Sequence, residues 1–401
     1  MRRNIILNTA GNLIYYFCQW LLTIIIVRLS SNYVNAGYLG LSMTTGSAYS
    51  AIALWGMRNY QISDIKNVFS DKEYFTSRIL TCVLAYICCA IGSIFGNSGY
   101  QIICIDAFMI CRISESFVDV LHGMDQKYDR YDYIFLSMTI RGISSVILFT
   151  ATFVITENLI FAILVMSLFD IGCALLYDLQ KTSRLATIQV KFTKNIFKLL
   201  KECAPIVVFT FILSMINLFP KNVLQNLKGT NLLGVYTSMA SPTLVVQLFA
   251  SVALSPLIPK LSKYFYAKRI KDFRNLLNKM YLSLLAIAGV TLVGAALVGR
   301  WGLSLLYGKG ILKYYGAFLP MILCTIGLAY VWILYAIVTA LRKIVPMLLG
   351  MLVDFAIVLL ISQPLISTYG LNGTNLVQII GYGLYIPFLV IIIERTYKKQ
   401  L

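Results

Sequence analysis

Charged side chains interrupt several long apolar runs of this chain, and these are the residues whose types could do chemistry. The clearest run is MICRISESFVDV, Met109 to Val120, which carries Arg112, Glu115 and Asp119. Residues three and four apart lie on one face of a helix, so these three charges are expected to face together. A charge near the centre of a bilayer costs at least about 2.5–3.5 kcal/mol on insertion scales. Each of them therefore requires an ionic partner or an aqueous cavity.

Two charges on the following apolar runs are expected to reach the same depth. At about 1.5 Å per helical residue, Glu115, Arg141 and Asp170 each lie roughly 10–12 Å from the cytoplasmic ends of successive runs. They therefore favour either a structural ion network or a gate or proton/cation site whose pairing changes between states. Direct contact with a substrate is a third possibility. The predicted ion-network or gating set is Arg112, Glu115, Asp119, Asp170 and, in a later run, Asp354.

Arg28 and Lys221 lie near the outer ends of two other apolar runs, and no acid in those runs is placed to neutralise them. They could snorkel to the outer headgroups. Alternatively, both face a central cavity and attract an anionic group such as a phosphate. Pro220 precedes Lys221 and can free backbone groups at that point.

The elements that carry these charges are predicted to be membrane-spanning helices. The chain has 401 residues, of which 59% are hydrophobic and only 12% charged, whereas soluble proteins have about 25% charged residues. Runs of about 20 apolar residues can each cross a hydrocarbon core as a helix, because backbone groups in lipid must bond internally. We therefore predict an all-α polytopic membrane protein of twelve helices: 8–28, 36–56, 78–96, 101–121, 133–154, 158–178, 203–224, 231–256, 280–299, 315–341, 344–366 and 373–394.

The chain is predicted to consist of two six-helix halves. These are 1–178 and 203–401, separated by a basic cytoplasmic linker at 179–202. In both halves, the end of the first helix, the short loop after it and the start of the second helix have similar sequences, RLSSNYVNAGYLGLSM and NVLQNLKGTNLLGVYTSM. Two such halves are a transporter design that works by alternating access. Pro242 and Pro256 in the eighth run also allow a broken or re-entrant helix there.

The distribution of basic residues predicts the orientation. The net charge is +18, and most of the 34 Lys and Arg residues fall in the segments assigned to one side of the membrane. This asymmetry is the positive-inside pattern, and it predicts cytoplasmic N- and C-termini. The basic charge is thus a topology signal and a contact with anionic lipid headgroups rather than a nucleic-acid surface.

Enzyme and metal chemistry are not expected from this sequence. Its nine cysteines form no C-x-x-C pair and are expected to be small buried hydrophobes, and its only histidine, His122, is expected at an interface. Nucleotide-binding, zinc-protease and serine-hydrolase motifs are absent. We therefore predict a transporter without a cofactor or metal, which is driven by an ion gradient or by the gradient of its substrate.

The sequence resembles one family of membrane transporters. NTAGNLIYYFCQWLLTIIIVRLSS is similar to the first helix of the Wzx-type polysaccharide repeat-unit flippases, and AGYLGLSMTTGSAYSAIALWGMRNYQISD to the second. ESFVDVLHGMDQKYDRYDYIFLSMTIRGISS resembles the passage from the fourth helix to the fifth, and LLGVYTSMASPTLVVQLFASVALSPLIPKLSKYF the eighth helix and its exit. This family belongs to the multidrug/oligosaccharidyl-lipid/polysaccharide exporter (MOP) superfamily. The resemblance of the sequence to the family extends over nearly the whole chain.

The resemblance implies a function and a set of partners. The expected substrate is an oligosaccharide linked to undecaprenyl pyrophosphate, which crosses the bacterial inner membrane for O-antigen or capsule synthesis. Glycan polymerase and chain-length proteins are expected to act with such a transporter. The family's cationic cavity favours Arg28, Lys221 and Arg141 as substrate-binding residues, and coupling to a proton or sodium gradient is implied. The alternative is an ion-coupled drug or metabolite efflux carrier of the related MATE type.

Overall fold

The structure, a computed structural model, describes residues 2–64, 68–243, 254 and 257–398, and within these ranges it contains helices and no β-strand. The α-helices are α1 (Arg2–Leu29), α2 (Val34–Leu54), α3 (Met57–Ser63), α4 (Asp71–Ser93), α5 (Gly99–Lys127), α6 (Tyr131–Thr156), α7 (Leu159–Cys173), α8 (Leu179–Thr182), α9 (Lys194–Lys228), α10 (Thr230–Ala240), α11 (Leu257–Tyr266), α12 (Ile270–Tyr307), α13 (Phe318–Ala340), α14 (Ile344–Tyr369) and α15 (Leu371–Lys398). A π-helical segment, Ala174–Asp178, joins α7 to α8. Two 3₁₀ segments, Ser241–Thr243 and Lys309–Ala317, follow α10 and α12.

The predicted all-α membrane class is confirmed. In the described part of the chain, nine helical segments are long and apolar enough to cross a membrane. Each of the twelve predicted runs coincides with a helix, although the eighth is described only in part. Its α10 ends at the 3₁₀ segment that contains Pro242, and Pro256 lies outside the described residues. The cytoplasmic orientation of the termini stays a prediction.

Contacts divide the chain into two compact units, Met1–Ser214 and Met215–Leu401. The division therefore falls within α9. The segment 179–202, which the sequence analysis treats as a linker, belongs to the first unit: Leu199 packs in an apolar cluster with Met57 and Phe69.

The first unit is built from two groups of helices that meet at α5. α1 packs along α6, while α2, α4 and α5 pack together, and α7 contacts both α5 and α6. The α1–α6 contact is close at Gly142, where an added Cβ would lie only 3.2 Å from the Cα of Tyr15. This close approach lets α1 bring Tyr15 towards the charged face of α5.

The second unit is arranged around α15. This helix packs against α13 and α14, while α12 contacts α13. Pro364 and Pro387 lie inside α14 and α15. Proline removes one backbone donor from a helix, and neighbouring helices can satisfy the freed carbonyl groups in a membrane protein.

Candidate functional site

Arg141 of α6 and Asp170 of α7 form a buried ion pair inside the first unit. The Nε atom of Arg141 lies 3.4 Å from the Oδ1 of Asp170, and these side chains are 2% and 0% exposed. Arg141 also donates from Nη2 to the hydroxyl of Ser114 on α5, at 3.1 Å. Since a lone buried charge is costly, the pair and its hydrogen bond hold three helices together.

Arg112 and Glu115 form a second ion pair on α5 itself. Arg112 Nη1 lies 2.6 Å from Glu115 Oε2, and the guanidinium also lies 5.1 Å from the ring centroid of Phe108. The phenol of Tyr15 on α1 donates a hydrogen bond to the other oxygen of Glu115. Arg112 and Glu115, three residues apart, thus contact each other on one face of α5, and Tyr15 of α1 adds a hydrogen bond to the pair.

Cys111 links the two ion pairs. Its Sγ lies 3.0 Å from Asp170 Oδ2 and 3.9 Å from Glu115 Oε1. The thiol therefore donates to one of the two carboxylates, so Cys111, which is buried as expected, also has a polar contact that the sequence did not indicate. We call Tyr15, Cys111, Arg112, Ser114, Glu115, Arg141 and Asp170 the ion network. Its members come from α1, α5, α6 and α7, and within it Arg141 pairs with Asp170 and Glu115 with Arg112.

Asp119 does not belong to the ion network, and this part of the prediction is corrected. Its carboxylate lies 3.0 Å from Arg58 Nη1 and 2.8 Å from Arg78 Nη2, so it pairs with cations of α3 and α4. Arg78 also donates to the carbonyl of Ala53 at the end of α2. Asp119 thus joins four helices one turn beyond Glu115, on the side predicted to face the cytoplasm.

The third predicted run, 78–96, starts at Arg78, which places this residue at the boundary of the helix rather than inside it. In the structure α4 begins at Asp71 and buries Arg78 completely. Ser70 and Glu73 form the capping box that starts the helix, since each side chain bonds to the other's backbone N–H. The S-x-x-E spacing was therefore the signal that could have placed Arg78 inside the helix.

His122 is buried and not interfacial, which corrects the prediction made for it. It is 1% exposed, because α5 continues to Lys127, and its Nε2 lies 3.3 Å from Asp178 Oδ1. One turn further along α5, Asp125 accepts a hydrogen bond of 2.9 Å from Thr182. This second polar group ties the end of α5 to the π-helical segment and α8. Among the described residues, no cluster of three or more His, Cys, Asp or Glu could hold a metal ion.

Asp354 lies in the second unit, on α14. It is 3% exposed, and neither carboxylate oxygen has a hydrogen-bond partner among the described residues. The neighbouring helix α15 contributes Gly381, where an added Cβ would lie 3.3 Å from Asp354 Oδ1. A buried carboxylate without a donor is costly unless it carries a proton or a cation, so this residue is a candidate ion-binding group.

The two cations proposed for a central cavity differ in their surroundings. Arg28 is exposed at the end of α1, whereas Lys221 is 8% exposed within α9. Burial of Lys221 favours a protein environment over snorkelling to the headgroups. That the two residues face one cavity stays a prediction.

A buried amide in the second unit was not expected from the sequence. Asn375 of α15 accepts from the hydroxyl of Tyr236 on α10 at 3.1 Å and donates to the carbonyl of Ala317 at 2.9 Å. Gln378, one turn further, donates to Asn217 of α9 at 3.4 Å. These polar side chains therefore tie α15 to α9 and α10 within one unit.

The helical fold is similar to that of solved membrane transporters, including members of the MOP superfamily. The lipid II flippase MurJ in its inward closed conformation has a TM-score of 0.69 and 13% sequence identity, with 98% of this chain and 90% of that chain covered. An inward-facing multidrug resistance MATE transporter has a TM-score of 0.64 and 13% identity, with 98% and 95% covered. At this identity the likeness shows the fold.

In sequence, the chain is similar to a capsular polysaccharide biosynthesis protein. The chain is 26% identical over 327 residues to the capsular polysaccharide biosynthesis protein CapF of Staphylococcus aureus, which covers 80% of each chain. No family profile matches the chain. The predicted resemblance to polysaccharide exporters of the MOP superfamily is therefore confirmed.

Proposed function

We propose that the chain is a transporter that flips oligosaccharide repeat units linked to undecaprenyl pyrophosphate from the inner to the outer leaflet of a bacterial inner membrane, by alternating access. The observation that carries this proposal is the similarity to a capsular polysaccharide biosynthesis protein along 80% of the chain. The fold shared with a lipid II flippase supports it. The flipped units supply surface polysaccharide such as capsule or O-antigen, and a glycan polymerase with its chain-length proteins receives them.

Cationic side chains on the membrane-spanning helices are suited to bind the pyrophosphate of this substrate. A pyrophosphate and its sugars require a polar path through the membrane, whereas the polyprenyl tail can remain in lipid. Lys221 and Arg28 are the residues proposed to attract the pyrophosphate. Arg141 is a third candidate, but its guanidinium lies against Asp170, so it reaches a substrate only in a state in which that pair has opened.

Coupling to a proton or sodium gradient requires a group that changes its charge or ligand between states. Asp354 is the candidate in the second unit, because it is buried and lacks a hydrogen-bond donor among the described residues. In the first unit the ion network is the proposed gate. Its two ion pairs share the Cys111 thiol, so opening one pair changes the hydrogen bonds of the other.

Flipping can be measured with purified protein in vesicles that contain a fluorescent oligosaccharide on undecaprenyl pyrophosphate. Dithionite bleaches only the outer leaflet, so an active protein should raise the bleached fraction from about half to nearly all. Loss of charged contacts in Arg28→Ala/Lys221→Ala should slow flipping by at least about tenfold. The control is Arg300→Ala/Lys313→Ala, which removes two exposed cations from α12 and from the 3₁₀ segment that follows it. Equal flipping rates in the two double variants would mean that Arg28 and Lys221 do not bind the substrate.

The cellular test is removal of the gene. Lipid-linked repeat units should accumulate on the inner leaflet, and surface polysaccharide should be lost. We expect the gene beside those of glycosyltransferases and a polysaccharide polymerase. Normal surface glycan with no accumulation of repeat units would overturn the proposal.

Drug or metabolite efflux of the MATE type is the second candidate, and the shared fold favours it. A cationic drug requires an acid that no protein cation neutralises. In the first unit Glu115, Asp119 and Asp170 all pair with arginines, which disfavours such a site there. Ethidium export that depends on Asp354 but not on Lys221, without any flipping activity, would establish the efflux function instead.

A further inference from the structure

A groove of about 660 Å³ opens in the second unit where α13 turns into α14. Eleven described residues line it: Phe265, Tyr266, Leu341, Arg342, Lys343, Pro346, Phe388, Ile391, Ile392, Arg395 and Thr396. Three of them are cations and none is acidic. The groove is distinct from the ion network, which lies in the first unit, and from Asp354.

One wall of the groove is apolar. Phe388 of α15 lies against the backbone of α14 at Gly350, where an added Cβ would lie only 2.2 Å from its ring. Phe265 is buried, whereas Phe388 and Ile391 are 37% and 48% exposed. The wall therefore has a fixed shape and retains exposed apolar surface that a hydrocarbon chain could cover.

The mouth of the groove is basic. Arg342 has a left-handed φ of 58°, and its N–H donates to the carbonyl of Thr339 at 2.9 Å, which ends α13. Lys343 then precedes the first turn of α14, and Arg395 comes from the last turn of α15. All three side chains are exposed, and none forms an ion pair within the described part of the chain. The N-terminus of α14 adds partial positive charge at the same place.

We propose that this groove binds an anionic phospholipid. Arg342, Lys343 and Arg395 contact the phosphate and headgroup, and one acyl chain lies along Phe388 and Ile391. The combination decides the ligand: a free phosphate would not need an apolar wall, and a neutral lipid would not need three cations. Basic residues near a membrane surface each add about 1 kcal/mol of attraction to anionic lipid. The sequence predicts that this end of the helices faces the cytoplasm, and the site does not depend on which substrate the protein transports.

The test uses the full chain in detergent and native mass spectrometry. The probes are palmitoyl-oleoyl-phosphatidylglycerol and phosphatidylcholine with the same acyl chains, so only the headgroup charge differs. The unaltered protein should retain phosphatidylglycerol in preference to phosphatidylcholine. Arg342→Gln/Lys343→Gln/Arg395→Gln should weaken phosphatidylglycerol binding by about 10- to 100-fold.

The matched control is Lys268→Gln/Lys271→Gln/Lys279→Gln, which removes the same charge from exposed residues of the second unit that do not line the groove. If this control weakens phosphatidylglycerol binding equally, the lipid is attracted by the overall positive charge, and the proposed site is refuted. Thr396→Trp fills the groove, keeps all three cations, and should block binding in a protein whose melting temperature is unchanged. If the triple variant misfolds, Thr396→Trp still tests whether phosphatidylglycerol binds in the groove.

Competition identifies the source of the bound phosphate. Inorganic phosphate should leave phosphatidylglycerol bound, and its displacement of the lipid would show a phosphate site only. Undecaprenyl phosphate at equal concentration should not displace phosphatidylglycerol. If it does, the groove holds the polyprenyl carrier and the proposal is overturned.

Discussion

The thiol of Cys111 lies 3.0 Å from the carboxylate of Asp170 and connects the buried Arg141–Asp170 pair to the half-buried Arg112–Glu115 pair. Its position, four residues before Glu115 on α5, lets it face both carboxylates. A change at this small side chain should therefore affect charges on three helices.

The role of Cys111 as a donor can be tested by comparing Cys111→Ala with Cys111→Ser. Alanine leaves one face of the buried Asp170 carboxylate without its donor, a loss of about 1 kcal/mol, which corresponds to a fall of about 2–4 °C in melting temperature. Serine keeps a donor and should restore most of that difference. Fluorescence-monitored melting in detergent measures it, with the half-buried Cys88→Ala as control. Equal losses with alanine and serine would mean that packing alone matters.

Arg78 should contribute far more to stability than Arg58, although both pair with Asp119. Arg78 is fully buried and its removal leaves a carboxylate without its inner partner, which costs about 3–5 kcal/mol in buried pairs. Arg58 is 24% exposed, and partly exposed pairs contribute about 0–1 kcal/mol. Arg78→Met should therefore lower the melting temperature much more than Arg58→Met.

A double variant distinguishes loss of a charge partner from loss of packing at the same site. Arg78→Met/Asp119→Leu removes the buried arginine and the carboxylate that it shares with Arg58. It should be more stable than Arg78→Met alone, because the carboxylate that has lost its buried partner is gone and the remaining Arg58 is 24% exposed to water. A double variant less stable than the single one would contradict the importance of this ion pair.

Charge exchange can establish which residues pair in the ion network. Arg141→Asp and Asp170→Arg should each abolish flipping, and the double exchange should restore part of it, because the two side chains face each other. Glu115→Arg/Arg141→Glu should give no such rescue, since those residues pair elsewhere. Rescue by the second exchange alone would show that the network is paired differently in the working protein.

Stability near the turn between α3 and α4 should depend on acid pH through Asp64. Burial by itself raises the pKa of this carboxyl, but hydrogen bonds from the N–H groups of Phe69 and Val68 and the hydroxyl of Tyr74 outweigh it and hold the pKa below its usual value of 3.8. A lowered pKa stabilises the folded protein above about pH 4, and this contribution is lost as the pH falls through the folded value.

The comparison that checks this is the melting temperature of Asp64→Asn against the unaltered protein from pH 7 to pH 3. The difference should be constant above about pH 5 and should shrink at lower pH. Asp129→Asn, at an exposed turn, is the control. A difference that persists unchanged at pH 3 would exclude the carboxylate as its cause.

The helices could be predicted from the sequence because apolar runs of the right length have few alternatives in a membrane. The meeting of Arg141 with Asp170 followed from depth alone, since charges at equal depth on successive helices have few other partners. Depth does not give rotation about the helix axis, however. Whether Arg141 faces Glu115 or Asp170 depends on that rotation, and the sequence left it open.

Other features could not be predicted because they depend on individual polar contacts, which a hydropathy pattern does not show. Arg78 was predicted at the start of its helix rather than inside it, because the apolar run, and not the Ser70 cap, was used to mark that start. Tyr15 gave no signal, as its partner lies 100 residues away. The amide of Asn375 likewise finds its partners only after α10 and α15 have packed together.

The π-helical segment Ala174–Asp178 gives the helix formed by α7 and α8 one residue more than an α-helix of the same path would have. Each residue of an α-helix turns the chain by about 100°. Deleting one residue within this segment would return it to a regular α-helix on the same path, whereas the same deletion in the regular turns of α7 would rotate everything after it by about 100°. The surplus residue is therefore taken up locally, and α8 keeps the facing that places Thr182 against Asp125.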